Sequence, residues 1–449
     1  MTRWAERYRV KLNHQKTEAC LFTNSIAERN WDPELVLDGK AVVMKKELKL
    51  LGVVFDQGLR FSGQLATITE KMRKRARVLM ALAGKSWGCG WDRDSMIRVY
   101  KALVESVVWY GAAGWLPWIT KTGFDRLEEA QRAALRIVTG LIKSTPSEAI
   151  YLETGVDPIK VEAKRRALTA YEKSMRLDPL NPRRETCERF SRKRLESNKG
   201  WREQARLECS TMLPWPRRGL EVKRSCPWAG VNDSGVSLCE NLVEKVSKED
   251  TEEKRRLVAQ TKMEAHGRTD MVIFTDGSVE GGVDNRGSAA VARHGGEVVI
   301  RKEAAGKVCS SYEAETRAMR MALEVVIEKR PEKVIIATDS RALVQALQNG
   351  TCSVNATLEE VKMKLVEAAQ ESQVTIQWTP GHVGTEGNEE ADREANDARS
   401  IDQGAVPICW DAAKKKVRRE VRWDCTLEGR LKEMYGRLIK RECLTRGRR

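Results

Sequence analysis

Histidine and aromatic residues are scarce in this 449-residue chain: four histidines, and only 6% Phe, Trp and Tyr. Eleven cysteines are scattered with no CxxC pair, which excludes a zinc ribbon and a disulfide framework and points to reduced intracellular thiols. No run of about 18 apolar residues occurs, so a membrane span is not expected. The first residues, MTRWAERYRVKLNHQ, lack the apolar centre of a secretory signal. Two adjacent aspartates occur nowhere.

What is abundant is positive charge. The formal net charge is +16 and the isoelectric point lies near 9.3, values suited to a polyanionic partner, nucleic acid before a membrane. The charge is divided unevenly. Residues 268–400 hold 16 basic and 22 acidic side chains, a net of −6, so the remainder carries +22. That division fits a catalytic module flanked by nucleic-acid-binding segments.

Along the chain, residues 1–60 read as short strands: one strand and turn within 1–23, and two strands broken by a charged turn in AVVMKKELKLLGVVFD (41–56). Residues 61–178 take a helical period, with Gly84 as a C-cap of the first helix. Residues 179–267 lose periodicity and read as a basic linker, part disordered and part helical. From 268 to 400 the expected order is β-β-β-α-β-α-α-β-α. Ser310 or Ser311 is the N-cap of the first of these helices, and Gly295–Gly296 the turn between the second and third strands. A mixed five-stranded sheet with helices follows. Residues 401–449 form a basic helical tail.

Four acids in 268–400 share a telling placement. Asp276 ends the first strand and Asp339 the fourth, and ligands of open α/β sheets bind outside strand ends. Glu315 and Asp392 lie on helices able to point back there. From Glu315, steps of four and three reach Met319, Ala322 and Val326, an apolar face; the same steps from Glu313 reach Arg317, Arg320 and Glu324, a solvated face. A carboxylate on an apolar stripe needs a partner. Asp392 borders Ala391 and Ala395 in the same way. Oxygen ligands without a thiol or imidazole cluster suit a hard cation, magnesium or manganese, and two such ions can activate water against a phosphodiester. His382, in the Gly381–Gly387 loop, is placed to handle a proton. Glu386, Glu389 and Glu390 read as loop and helix-start charge.

Taken singly, each residue has a blander reading. Asp276 fits an Asx turn, Glu315 a solvated helix acid, Asp339 a helix N-cap and His382 an ordinary loop histidine. Their joint occurrence in this order favours a metal site.

TDGS, then AE on a helix, then TDS, then GHVGTEGNEEAD resembles type 1 ribonuclease H across 268–400. The resemblance implies that Asp276, Glu315, Asp339 and Asp392 bind two magnesium ions, with His382 as the loop histidine, and that water hydrolyses the RNA strand of an RNA–DNA hybrid. Asn388 matches the asparagine after the loop and either contacts the scissile region or caps the helix. Choice of RNA over DNA rests on 2′-hydroxyl contacts, expected near Gly277, Ser278, Asn285 and Ser340. Upstream, LNHQKTE, LKLLGVVFDQGLRF, LEEAQRAALRIVTG and TPSEAIYLETGVDPI resemble the end of a non-LTR (LINE-type, ingi-like) retrotransposon reverse transcriptase, from the palm strands into a thumb-like helical region. The adjacent aspartate pair of that family's polymerase site is missing, so no polymerisation is expected of this chain alone, and a separate reverse transcriptase chain is a candidate partner.

Three rival readings stand beside this one. A decayed nucleic-acid-binding remnant is opposed by the retention of all four acids. A transposase or integrase of the same fold would lack the HVGTEGNEEAD loop, and a polymerase accessory would bind hybrid without cutting it. The run KKKVRR (414–419) reads as a nuclear-localisation signal, a phosphate-binding helix or tail charge, so the expected compartment is intracellular and nuclear. RKRAR (73–77) and RRETCERFSRKR read as solvated faces or phosphate contacts, and Trp201, Trp215 and Trp228 as anchors of a packed unit or base-stacking platforms.

Overall fold

The computed structural model describes residues 2–13, 16–23, 25, 27–37, 39–83, 92–189, 201–220, 235–247, 249–278, 284–349, 355–381, 383–404 and 406–422. Gly84, Trp228, His382 and the end of the basic tail therefore lie outside the described residues. The chain divides into two compact units, Met1–Ala167 with Val421–Arg449, and Leu168–Glu420.

In the first unit, helix Thr2–Arg7, a run of helix formers, precedes the expected strand, of which Glu18–Ala19 pairs parallel with Val43–Met44. The charged break at Lys45–Lys46 separates strand Val43–Met44 from Glu47–Leu50 as expected, but the run after it folds on itself. Glu47–Leu50 pairs antiparallel with Val53–Asp56 around the two-residue turn Leu51–Gly52. Helices Ser62–Ala83 and Lys121–Thr139 pack together and, with Tyr100, Trp115 and Ile150, enclose the apolar core of this unit. The stretch 93–118 is a series of short helical pieces rather than one helix. Gly111 in the left-handed region and Pro117 interrupt it.

The second unit is built on one six-stranded sheet. Its strands are β1 (Val236–Cys239), β2 (Met271–Gly277), β3 (Asp284–His294), β4 (Glu297–Val308), β5 (Lys333–Thr338) and β6 (Gln373–Trp378). The spatial order is β4-β3-β2-β5-β6-β1. The β2–β3–β4 meander is antiparallel, closed by the Gly295–Gly296 turn, whereas β2, β5, β6 and β1 run parallel. The helices are α1 (Ser311–Lys329), α2 (Arg341–Gln348), α3 (Ala356–Ala368), α4 (Glu386–Asp397) and α5 (Trp410–Glu420). Over 268–400 the element order matches the expected one.

The sheet has six strands, not five. The extra edge strand, β1, comes from the segment expected to be linker: VSLC pairs parallel with Val374–Gln377 and finds its order in β6 rather than in any local period. Other described parts of 179–267 are helices Pro182–Glu188, Trp201–Met212 and Glu252–Glu264. Side chains alternate across β2. Met271 and Ile273 join the core that includes Met319, Ala322 and Val326 of α1, while Phe274 meets Gly387 of α4 on the opposite face. No helix among the described residues is long and apolar enough to cross a membrane.

Candidate active site

The parallel register of β2 and β5 explains why two of the acids meet. Thr275 pairs with Thr338, and the next residue of each strand is an aspartate, Asp276 and Asp339. Thr275 Oγ1 donates to the Ala337 carbonyl at 3.2 Å and ties the two strand ends together. Helix α1 begins at the Ser310 cap, whose side chain accepts from the Glu313 amide at 3.1 Å, and its second turn brings Glu315 over the end of β2. There Gly277 N donates to Glu315 Oε1 at 3.1 Å. One carboxylate oxygen from each of Asp276, Glu315 and Asp339 lies within 4.8 Å of the others.

Asp392 approaches from the other face of the sheet. Asp276 shares the parity of Phe274 along β2, the side on which α4 packs, and Asp392 of α4 lies close enough for its charge to raise Asp276. Ala391 and Ala395 are fully buried on either side of Asp392, and Asn396 Nδ2 donates to Asp392 Oδ1 at 3.3 Å. The structure thus brings Asp276, Glu315 and Asp339 together at the ends of β2 and β5, with Asp392 beside Asp276.

This cluster is electrostatically unfavourable as metal-free carboxylates. Burial, then the charges of Asp339 and Asp392, push Asp276 up to about 8. Burial, then Asp339 and Asp276, raise Glu315 well above the ordinary carboxyl range. Glu315 Oε2 is buried without a hydrogen-bond partner among the described residues. Crowded oxygens that must hold protons at neutral pH, one of them orphaned, form a set that a divalent cation fits, because it would replace the protons and satisfy the free lone pairs. Asp276, Glu315 and Asp339 are the residues placed to hold it.

Close packing keeps the cluster tight. A Cβ on Gly277 would sit 2.6 Å from Glu315 N, and one on Gly381 would sit 2.5 Å from Asp339 Oδ2. Both glycines are needed for that approach, not for a turn. Trp378 Nε1 donates to the Asp339 carbonyl at 3.0 Å, which fixes the backbone behind the carboxylate.

The remaining candidates are distributed as follows. Ser278 is buried and hydrogen-bonds Asn396. Asn285 is exposed in the left-handed region (φ 47°), its carbonyl accepting from Arg399 Nε at 3.2 Å. Ser340, not Asp339, takes the N-cap position of α2, and its amide donates to Thr338 Oγ1 at 3.2 Å. Asn388 lies in the first turn of α4, its amide bonded to the Thr385 carbonyl at 2.9 Å; its Oδ1 is buried with no partner among the described residues.

Two polar residues at this end escaped the sequence reading. Arg286 is buried, donates to Ser311 Oγ at 3.0 Å and to the Ser278 carbonyl at 3.4 Å, and its charge partly offsets the rise at Glu315. The second is Glu313, expected on a solvated face but only 1% exposed. Its Oε1 accepts from Thr357 Oγ1 at 2.5 Å and Arg317 Nε at 3.3 Å, and its Oε2 from Asn355 Nδ2 at 3.1 Å. The charged neighbours along α1 misled, because the burial comes from the start of α3, which no local period reveals. Glu386 and Glu390 pair with Arg293, and Glu389 Oε1 accepts from the Gly384 amide, as helix-start charge would.

The RNase H family model matches residues 268–400. A ribonuclease H of Hydrogenovibrio crunogenus is 35% identical over 142 residues, 28% of this chain and 92% of that protein. The RNA-directed DNA polymerase from the mobile element jockey of Drosophila melanogaster is 26% identical over 141 residues, 30% of this chain but 14% of that protein. The solved N-terminal RNase H domain of a Mycobacterium tuberculosis protein, a fusion with maltose binding protein, is 23% identical with a TM-score of 0.25, covering 29% of this chain and 94% of that one.

Proposed function

Since the chain belongs to the ribonuclease H family through residues 268–400, we propose that it hydrolyses the RNA strand of RNA–DNA hybrids. The observation that carries this reading is the convergence of Asp276, Glu315 and Asp339 within 4.8 Å at the ends of β2 and β5, with Asp392 against Asp276. Asp276, Glu315, Asp339 and Asp392 together hold two magnesium ions, manganese serving as a substitute. Bound divalent cations supply Lewis acidity and a lowered water pKa at a phosphodiester.

The chain's own residues do the rest. The Gly277 amide and the packing of Gly381 hold Glu315 and Asp339 in register, so the carboxylates are preorganised before substrate arrives. Gly277, Ser278, Asn285, Ser340 and Asn388 contact the hybrid backbone and its 2′-hydroxyls; Asn388 Oδ1, without a partner among the described residues, is the acceptor best suited to a hydroxyl donor. His382, between Gly381 and Val383 in the sequence, takes the proton released at the site. The +22 charge outside 268–400 supplies phosphate contacts. The likeness to the jockey polymerase supports descent from a non-LTR retrotransposon polyprotein and a reverse transcriptase chain as partner. The run KKKVRR lies on α5, where Lys415 and Arg418 are exposed, which supports nuclear import or phosphate contact.

The test is cleavage of an end-labelled RNA–DNA hybrid in magnesium by the wild-type chain and by Asp276→Asn, with EDTA and duplex DNA as controls. Scission of the RNA strand alone, abolished by the substitution and by EDTA, is expected. Hybrid binding without scission by the folded wild-type chain would leave an inactive nucleic-acid-binding remnant instead.

A further inference from the structure

Glu315 is weakly held by its own contacts: Gly277 N binds one oxygen, and the other has no partner among the described residues. Its position is therefore set by where the first turns of α1 are anchored. Three tethers do this. Ser310 caps the helix, Arg286 holds Ser311, and the buried Glu313 carboxylate is caged by donors. Of the cage, Arg317 belongs to α1 itself and also lies 3.6 Å from Glu303 of β4 through Nη1. Asn355 and Thr357 come from the start of α3.

The remaining donor comes from outside the family match. Arg218 Nη1 reaches Thr357 Oγ1 at 2.6 Å and Glu313 Oε1 at 3.4 Å, and its Nη2 lies 3.4 Å from Glu360 Oε2. One guanidinium thus spans α1 and α3, and its own backbone is locked. Arg218 N donates to the Ile408 carbonyl at 3.0 Å, and the Arg218 carbonyl accepts from Arg176 Nη1 at 3.1 Å. Arg176 is fully buried and also bonds the Ile408 carbonyl and Glu172. Glu172 takes Arg217 Nη2 at 2.8 Å. Segments before and after 268–400 are joined here at the root of the helix that carries Glu315.

We propose that Arg218 is a positioning residue for Glu315, acting through Glu313 and Thr357, so that the metal-binding competence of this site depends on a segment outside residues 268–400. The planar fork of arginine matters, because one flat group meets an acceptor on each helix, which an ammonium cannot do with the same geometry. The inference rests on the reading of Asp276, Glu315 and Asp339 as cation ligands, and its readout is metal binding, so it stands or falls apart from hybrid cleavage.

The test is manganese binding to the full chain, followed by the paramagnetic signal of free Mn2+ well below the unfolding temperature. Wild type, Arg218→Gln, Arg218→Lys and Thr357→Val are compared. Arg218→Gln is expected to weaken binding about tenfold, the lower end of losses from residues that orient metal ligands. Arg218→Lys should recover part of the loss, and Thr357→Val should weaken binding severalfold even if Arg218→Gln fails to fold. Wild-type Mn2+ affinity in a folded Arg218→Gln or in Thr357→Val would overturn the proposal and leave Arg218 as an anchor only. A wild-type chain that binds Mn2+ yet spares hybrid would sink the proposed function without touching this inference. A wild-type chain that binds no Mn2+ would sink both, and its failure with hybrid would be explained by the absent metal.

Discussion

The Gly277 amide donates to Glu315 Oε1 at 3.1 Å while the Gly277 Cα lies so close to α1 that a Cβ there would stand 2.6 Å from Glu315 N. Strand end and helix start are thus in backbone contact, and the carboxylate is carried by that contact. Gly277→Ala must push α1 away from β2, because the obstructing atoms are main chain and cannot rotate aside. We expect a loss of about 1–3 kcal/mol in stability and a larger proportional loss of divalent-cation affinity. Thermal unfolding with and without Mg2+ would check both. An alanine variant that Mg2+ stabilises as much as wild type would refute the coupling.

The second prediction concerns pH. In the metal-free protein Asp276 is raised from an ordinary 3.8 to about 8 by burial, then by Asp339 and Asp392. Between those values the folded chain keeps a proton that the unfolded chain gives up, so stability is greatest below the lower value and is lost as pH rises toward the upper one. Asp276→Asn removes that slope. In EDTA at pH 8 the variant should exceed wild type by about 1–3 kcal/mol, with little difference near pH 4. Glu315, raised by burial and the same neighbours, leaves a residual slope in the variant. Added Mg2+ should reverse the order at pH 8, stabilising wild type and not the variant. Denaturation midpoints at several pH values, in EDTA and in Mg2+, decide it.

How much of this was legible follows from where the information sits. The order of elements over 268–400 and the approach of Asp276 to Asp339 could be read from the chain, since buried strands, caps and the Gly295–Gly296 turn are local signals. The register pairing Thr275 with Thr338 then makes the two acids neighbours. Glu313 failed because its cage is assembled from Asn355, Thr357 and Arg218, all distant in sequence. Strand β1 failed for the same reason, four residues being too few to show alternation and its order coming from β6. In 1–60 the strands are two to four residues long, too short for a period to fix their ends. His382 lies outside the described residues, and its role rests on its place in the loop.

A third prediction uses the cysteines. Burial pushes the thiols of Cys209 and Cys309 up, and Cys409 up to about 11. A thiolate is the reactive form, so these three should resist a thiol reagent at pH 8 in the folded chain and react on unfolding. Among the described cysteines, half-exposed Cys20 and Cys239 should label ahead of buried Cys209 and Cys309. Mass spectrometry of pulse-labelled protein would show the order, and early labelling of Cys309 would contradict the packing around β4 and α1.

The last prediction concerns Arg176 and Glu172, whose side chains are both fully buried and 3.4 Å apart. Each also has other partners. Arg176 bonds the carbonyls of Arg218 and Ile408, and Glu172 takes a bidentate contact from Arg217. A buried charge stripped of its partner costs about 3–5 kcal/mol, whereas replacing both members by apolar groups costs far less. Arg176→Met alone should therefore destabilise Leu168–Glu420 strongly, leaving Glu172 with Arg217 only and the Ile408 carbonyl without its guanidinium. Glu172→Gln alone should cost less, because the amide still accepts from Arg217. The double variant Arg176→Met with Glu172→Gln should be more stable than Arg176→Met by about 1–2 kcal/mol. Urea unfolding of the three variants measures the coupling. Strict additivity would mean that the two charges do not stabilise one another.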